Sequence, residues 1–125
     1  YGLVGSEMCI RDRYAAELLE ELRERTPGIR ILCAGKLPSG TAEKLSLRDA
    51  LAPAERRGRG NAYARGGWWL HDRILTDTAL TVIRADVFAR RDLLDPRSGT
   101  PLPTYRRQRY TGGIGRYFPI FLYIK

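Results

Sequence analysis

Sulfur and imidazole are scarce in this chain of 125 residues, which has one Met, two Cys and one His. Of the two cysteines, Cys9 falls in a segment set aside below. Cys33 then has no disulfide partner and no His or Cys at ligand spacing, so neither a disulfide framework nor a zinc site is expected. It reads as a buried structural thiol. Long apolar runs are missing as well. Nothing approaches the roughly 18 residues of a membrane span. Repeats and low-complexity segments are absent, and the length suits one small domain or part of a larger one.

Residues 2–13 look foreign to the rest. Glu7 to Asp12 back-translates as GAG-ATG-TGT-ATA-AGA-GAC, which matches the end of the transposon adaptor used to fragment DNA for sequencing. Leu3 to Ser6 fits the upstream arm of that adaptor in the same frame. Residues 1–13 are therefore read as adaptor-derived and 14–125 as native. The native N-terminus is expected to be missing, which leaves any signal peptide and the compartment open.

What is abundant is positive charge. The formal net charge is +8, and it survives the trimming because Glu7 and Asp12 offset Arg11 and Arg13. An excess of this size suits an anionic partner, although a general bias toward Arg produces the same count.

Ala15, Leu18, Leu19 and Leu22 recur at helical spacing, and Glu21 precedes Arg25 by one turn, so residues 15–25 predict an amphipathic helix stopped by Pro27-Gly28. The apolar run from Ile29 to Ala34 predicts a strand buried on both faces. A loop over Gly35–Lys44 should follow, and then a short helix through Ala52, opened by a Ser46/Asp49 capping box and closed by Pro53. Glu55 to Asn61 predicts a flexible basic loop.

From Trp68 the period becomes two. Trp68, Leu70, Asp72 and Ile74 share one face of a strand, with Trp69, His71, Arg73 and Leu75 on the other. A second strand over Ala79–Phe88 should pair with it as a hairpin. Residues 89–111 are turn-rich, most clearly at Asp95-Pro96-Arg97-Ser98-Gly99. A final strand is expected over Tyr117–Ile124. The strands near residues 29, 70, 83 and 120 are expected in one largely antiparallel sheet.

Asp72 is the most informative titratable group, a lone carboxylate between Leu70 and Ile74. Burying it unpaired would cost roughly several kcal/mol, so it needs donors or a cation. A structural hydrogen bond and a role in a site both satisfy that need. His71 is expected to face away from Asp72, as a packed or surface histidine.

Three pieces in this order, Trp68-Trp69-Leu70-His71-Asp72-Arg73-Ile74-Leu75, Pro101-Leu102-Pro103-Thr104-Tyr105, and Arg109-Tyr110-Thr111-Gly112-Gly113 with Phe118-Pro119-Ile120-Phe121-Leu122, resemble the C-terminal half of the endonuclease/exonuclease/phosphatase family. The likeness covers most of residues 28–125. It implies an α/β fold, half of a four-layered α/β sandwich, completed by an N-terminal half of the same domain. It also implies phosphate-ester hydrolysis promoted by Mg²⁺ or Mn²⁺, held by carboxylates, with a His and an Asn at the phosphate.

This chain departs from the family's motifs. Lys36 stands at the position of an Asp and Pro38 at that of an Asn, while Gly115-Arg116-Tyr117 replaces Ser-Asp-His. Asp72 alone matches a functional position, that of the carboxylate orienting the family's His. Lys36 and Arg116 would repel a divalent cation. The resulting expectation is a catalytically silent relative, with no cofactor and an anion-binding cleft at Lys36 and Arg116 for a phosphate-containing ligand. One alternative is an active Mg²⁺-dependent phosphodiesterase or endonuclease completed by the missing half. Another is a basic nucleic-acid-binding module that uses Arg56, Arg57, Arg59, Arg65, Arg106, Arg107 and Arg109 with Trp68, Tyr105 and Tyr110. Lys36, Asp72 and Arg116 are expected near one end of the sheet.

Overall fold

The computed structural model describes residues 2–125, with side chains from Arg13 onward. Helix α1 spans Gly2–Arg25, and the expected Glu21–Arg25 ion pair closes at 2.7 Å. Its inner face is narrower than the apolar spacing suggests. Leu19 is buried, and Ala15, Ala16 and Leu22 pack beside it, but Leu18 is 54% exposed. Thr26 N donates to Leu22 O, and Gly28 takes a positive φ of 83° as the chain turns away.

Strand β1 is Leu32–Gly35, helix α2 Thr41–Leu45, strand β2 Arg48–Asp49 and helix α3 Ala52–Arg56. Two expectations change here. Ser46 is the residue that ends α2, and Asp49 lies in a strand where its carboxylate accepts from Leu51 N at 2.9 Å, so no capping box forms. Pro53 opens α3 instead of closing a helix, because a residue without an N–H fits the first helical turn.

The strand buried on both faces is β5, Arg73–Thr76, and not β1, whose Leu32 is 46% exposed. The sheet order is β1-β5-β2, antiparallel throughout. Neighbouring β5 residues point to opposite faces. Leu75 joins Leu19, Ile31, Ala42, Leu45 and Leu47 under the helices, while Ile74 joins Ala50, Leu51, Leu70, Val87 and Phe118. Helices thus cover one side of β5, and β6 (Val82–Val87) with β9 (Ile120–Ile124) covers the other.

The expected hairpin between β5 and β6 does not form. Both edges of β5 are occupied by β1 and β2, so β6 has no ladder to join there. An Asx turn, Ala79 N to Asp77 Oδ1 at 3.2 Å, redirects the chain, and β6 pairs with β9. The four strands therefore do not share one sheet. The stretch from Trp68 to Leu75 is likewise divided: β3 (Ala62–Ala64) pairs with β4 (Gly67–Trp69), and residues 70–72 separate β4 from β5. The chain is mixed α/β with antiparallel pairing.

The basic stretch after Glu55 is less free than its composition suggests. Arg59 Nε meets Asp86 Oδ1 at 2.7 Å and its Nη2 donates to Val87 O at 3.3 Å, which ties the loop to β6. Farther along, the Asp95–Gly99 turn forms as expected, with Arg97 N donating to Asp95 Oδ1 at 2.9 Å and Gly99 N to Asp95 O at 2.8 Å. Arg106 Nη2 donates to the other carboxylate oxygen. That bond, followed by the one from the Arg97 backbone, holds the Asp95 carboxyl below its ordinary value.

A lowered folded value contributes stability above the ordinary carboxylate range and loses it as the pH falls through the folded value. The contribution of Asp95 should therefore be complete at neutral pH and disappear below about pH 4. Asp95→Asn should make the thermal midpoint less acid-sensitive than in the parent. Equal drops for both proteins between pH 7 and pH 3 would count against this reading.

Candidate functional site

The break between β4 and β5 has a single organiser, Asn61, which is fully buried. Its Oδ1 accepts from the backbone N–H of His71 at 2.7 Å and from that of Asp72 at 3.4 Å. Its Nδ2 donates to Asp72 Oδ2 at 2.8 Å and to Phe118 O at 3.2 Å. The peptide groups of residues 71 and 72 thus bond to a side chain rather than to a neighbouring strand, which is why the ladder stops there. Gly60 permits the approach. A Cβ at that position would lie 2.5 Å from Trp69 N, so only glycine fits.

His71 does not face away from Asp72. Outside a regular strand the alternation of faces lapses, and His71 Nδ1 lies 3.2 Å from Asp72 Oδ1. The imidazole stacks on the Tyr117 ring at 4.0 Å with an interplanar angle of 13°, and meets Trp69 edge-on at 5.3 Å. Both oxygens of Asp72 therefore have partners, and those partners are an amide and an imidazole rather than Lys36 or Arg116.

Lys36 and Arg116 nevertheless come to the same end of the fold. The ladder between β1 and β5 ends at Gly35 opposite Arg73. Lys36 follows Gly35 and Asp72 precedes Arg73, so both leave the ladder at one edge. Arg116 precedes Tyr117, which stacks on His71 and makes a backbone bridge to Ala62. Lys36 and Arg116 are exposed, and neither side chain has a hydrogen-bond or ion-pair partner among the described residues. Pro38 is half-buried, and its carbonyl accepts from Thr41 N at 3.2 Å and Thr41 Oγ1 at 2.7 Å. It orders the start of α2.

A hard divalent cation suits this donor set poorly. It needs several free oxygens, whereas both oxygens of Asp72 already have partners. Among the described residues no three His, Cys, Asp or Glu side chains gather as a metal-binding group. Beyond the site, burial pushes the Cys33 thiol above its ordinary value, away from reactivity.

Asn61 and His71 are the two participants that the residue pattern misplaces. Asn61 reads as the end of a flexible loop, and only its position next to Gly60, just before an aromatic strand, hints at more. No family model, curated protein or solved structure matches this chain. Among the described residues no helix is long and apolar enough to cross a membrane.

Proposed function

We propose that this chain is a catalytically silent domain of the endonuclease/exonuclease/phosphatase type that binds a phosphate-bearing ligand through Lys36 and Arg116. The observation that carries the reading is two unpaired, exposed cations at the end of the ladder where Asp72 sits, a carboxylate both of whose oxygens already have partners. A guanidinium and an ammonium left without a counter-charge favour an anion, and a phosphate accepts from both. His71, held by Asp72 and stacked on Tyr117, borders the same edge and offers Nε2 to a ligand oxygen. Helices on one side of β5 and a second pair of strands on the other agree with half of a four-layered sandwich.

Inorganic phosphate should raise the thermal midpoint of the parent chain. The stabilisation should reach about 1.4 kcal/mol at ten times the dissociation constant. A Lys36→Ala/Arg116→Ala variant should lose most of this response and keep its midpoint in phosphate-free buffer. Mg²⁺-dependent hydrolysis of a phosphodiester that disappears with Asp72→Ala would overturn the proposal, as would an undiminished phosphate response in the double variant.

A further inference from the structure

A second concentration of positive charge lies on a hairpin outside this site. Strands β7 (Tyr105–Arg106) and β8 (Arg109–Tyr110) pair Tyr105 with Tyr110 and Arg106 with Arg109. Arg107 and Gln108 form the turn with φ of 49° and 65°. Two left-handed residues in a two-residue hairpin turn favour Asn-Gly, so Arg-Gln here sacrifices turn stability and keeps a cation at the tip.

The two faces of the ribbon differ. On one, the Tyr105 and Tyr110 rings meet edge-on at 5.6 Å and stay 63% and 67% exposed. On the other, a cavity of about 470 Å³ opens between the hairpin and the Asp95 turn, with Arg97, Arg106, Arg107, Arg109 and Thr111 in its wall. Asp95 compensates Arg106. The side chains of Arg97, Arg107 and Arg109 have no acceptor among the described residues.

We propose that this hairpin binds single-stranded nucleic acid, with a phosphodiester in the cavity on Arg97, Arg107 and Arg109 and neighbouring bases stacked on Tyr105 and Tyr110. Three arginines without acceptors line one cavity, beyond the single charge of Asp95 that Arg106 already meets, and such an excess favours an anion whose oxygens match the planar guanidinium fork. The volume suits a nucleotide-sized group. The ribbon is only two strands wide, so its two faces meet at each edge, and a nucleic-acid strand running along an edge has both the cavity and the tyrosine rings beside it. Exposed tyrosines stack on any unpaired base. A duplex keeps its bases stacked inside and offers the tyrosines nothing.

The structure also narrows which basic residues take part. Arg57 and Arg59 are directed at Asp86, at 4.0 and 2.7 Å, and Trp68 stacks on Phe118 at 5.6 Å. Those groups serve the fold, whereas on the hairpin unpaired arginines and two largely exposed tyrosine rings lie together.

The test is fluorescence anisotropy of the full chain with a labelled oligothymidylate of about 12 nucleotides, titrated at about 50 and about 200 mM salt. The expected result is binding that weakens with salt. Arg107→Asn/Gln108→Gly keeps the turn and removes the tip cation, so it should lower the salt slope by about 0.7 and leave the thermal midpoint unchanged or higher. Tyr105→Ala/Tyr110→Ala should weaken binding roughly tenfold per ring with the slope unchanged, and Tyr105→Phe/Tyr110→Phe should restore it. Absence of binding at the lower salt would overturn the proposal. So would equal affinity for heparin and duplex together with wild-type binding by the Tyr105→Ala/Tyr110→Ala variant, which would reduce the effect to general polyanion attraction. Loss of oligonucleotide binding only in Lys36→Ala/Arg116→Ala would place the ligand at the other site and also overturn it.

Discussion

Asn61→Ala is expected to destabilise the chain by about 3 kcal/mol, because it strands the buried N–H groups of His71 and Asp72 and the Phe118 carbonyl in one step. For a domain of this size the thermal midpoint should fall by about 10 °C. Asn61→Asp should be no better, since it removes the Nδ2 donor and sets a second carboxylate against Asp72. In denaturant titrations the midpoint should drop with little change in slope. Asn61 and Asp72 share a hydrogen bond, so Asn61→Ala/Asp72→Ala should cost less than the sum of the single variants. Strict additivity, or a loss below about 1 kcal/mol, would show that the clasp is not what separates β4 from β5.

Arg73→Met should cost up to a similar amount, about 3 kcal/mol, by leaving the partly buried Asp49 carboxylate without its partner. The Arg73 side chain is 8% exposed and reaches Asp49 Oδ2 at 2.7 Å and Glu55 Oε2 at 2.5 Å. These contacts, Glu55 first, raise the guanidinium above its ordinary value, partly against the effect of burial. The contribution of a raised group is complete below its ordinary value and is lost only as the pH climbs through the folded one. Arg73 therefore adds no pH dependence across the neutral range. Glu55 is the closer partner, yet its side chain is 44% exposed against 17% for Asp49. Solvent screens the Glu55 pair more strongly, so Asp49→Asn should destabilise more than Glu55→Gln. Adding both of those changes to Arg73→Met should recover most of the loss, because no buried charge is then unpaired. Arg73 Nε has no acceptor among the described residues, so the site is an imperfect ion-pair network that neutral replacement can match.

How much of this was legible beforehand varies from element to element. The end of the first helix at Arg25 and the Asp95 turn follow from short-range patterns and appear where expected, while the helix begins well before residue 15 and the last strand covers only Ile120–Ile124 of the expected 117–124. The Ser46/Asp49 capping box failed because two polar residues at the right spacing also suit a helix end followed by a strand. For the candidate site, the residue types and approximate positions of Lys36, Asp72, Arg116 and Tyr117 were visible. The groups that satisfy Asp72 were not, since Asn61 lies eleven residues away along the chain and regular strand alternation puts His71 on the opposite face.

By itself the sequence determined the local elements: where helical and alternating periods begin and end, the excess of arginine, and the missing chemistry of sulfur. These depend on neighbours a few residues apart, which any reading of the chain contains. Only the tertiary structure decided that β5 is central, that β6 turns to β9, and that a buried asparagine interrupts the aromatic strand. Those outcomes rest on competition for ladder edges and buried hydrogen-bond donors among segments distant along the chain. Such competition is settled only when all the segments are packed together.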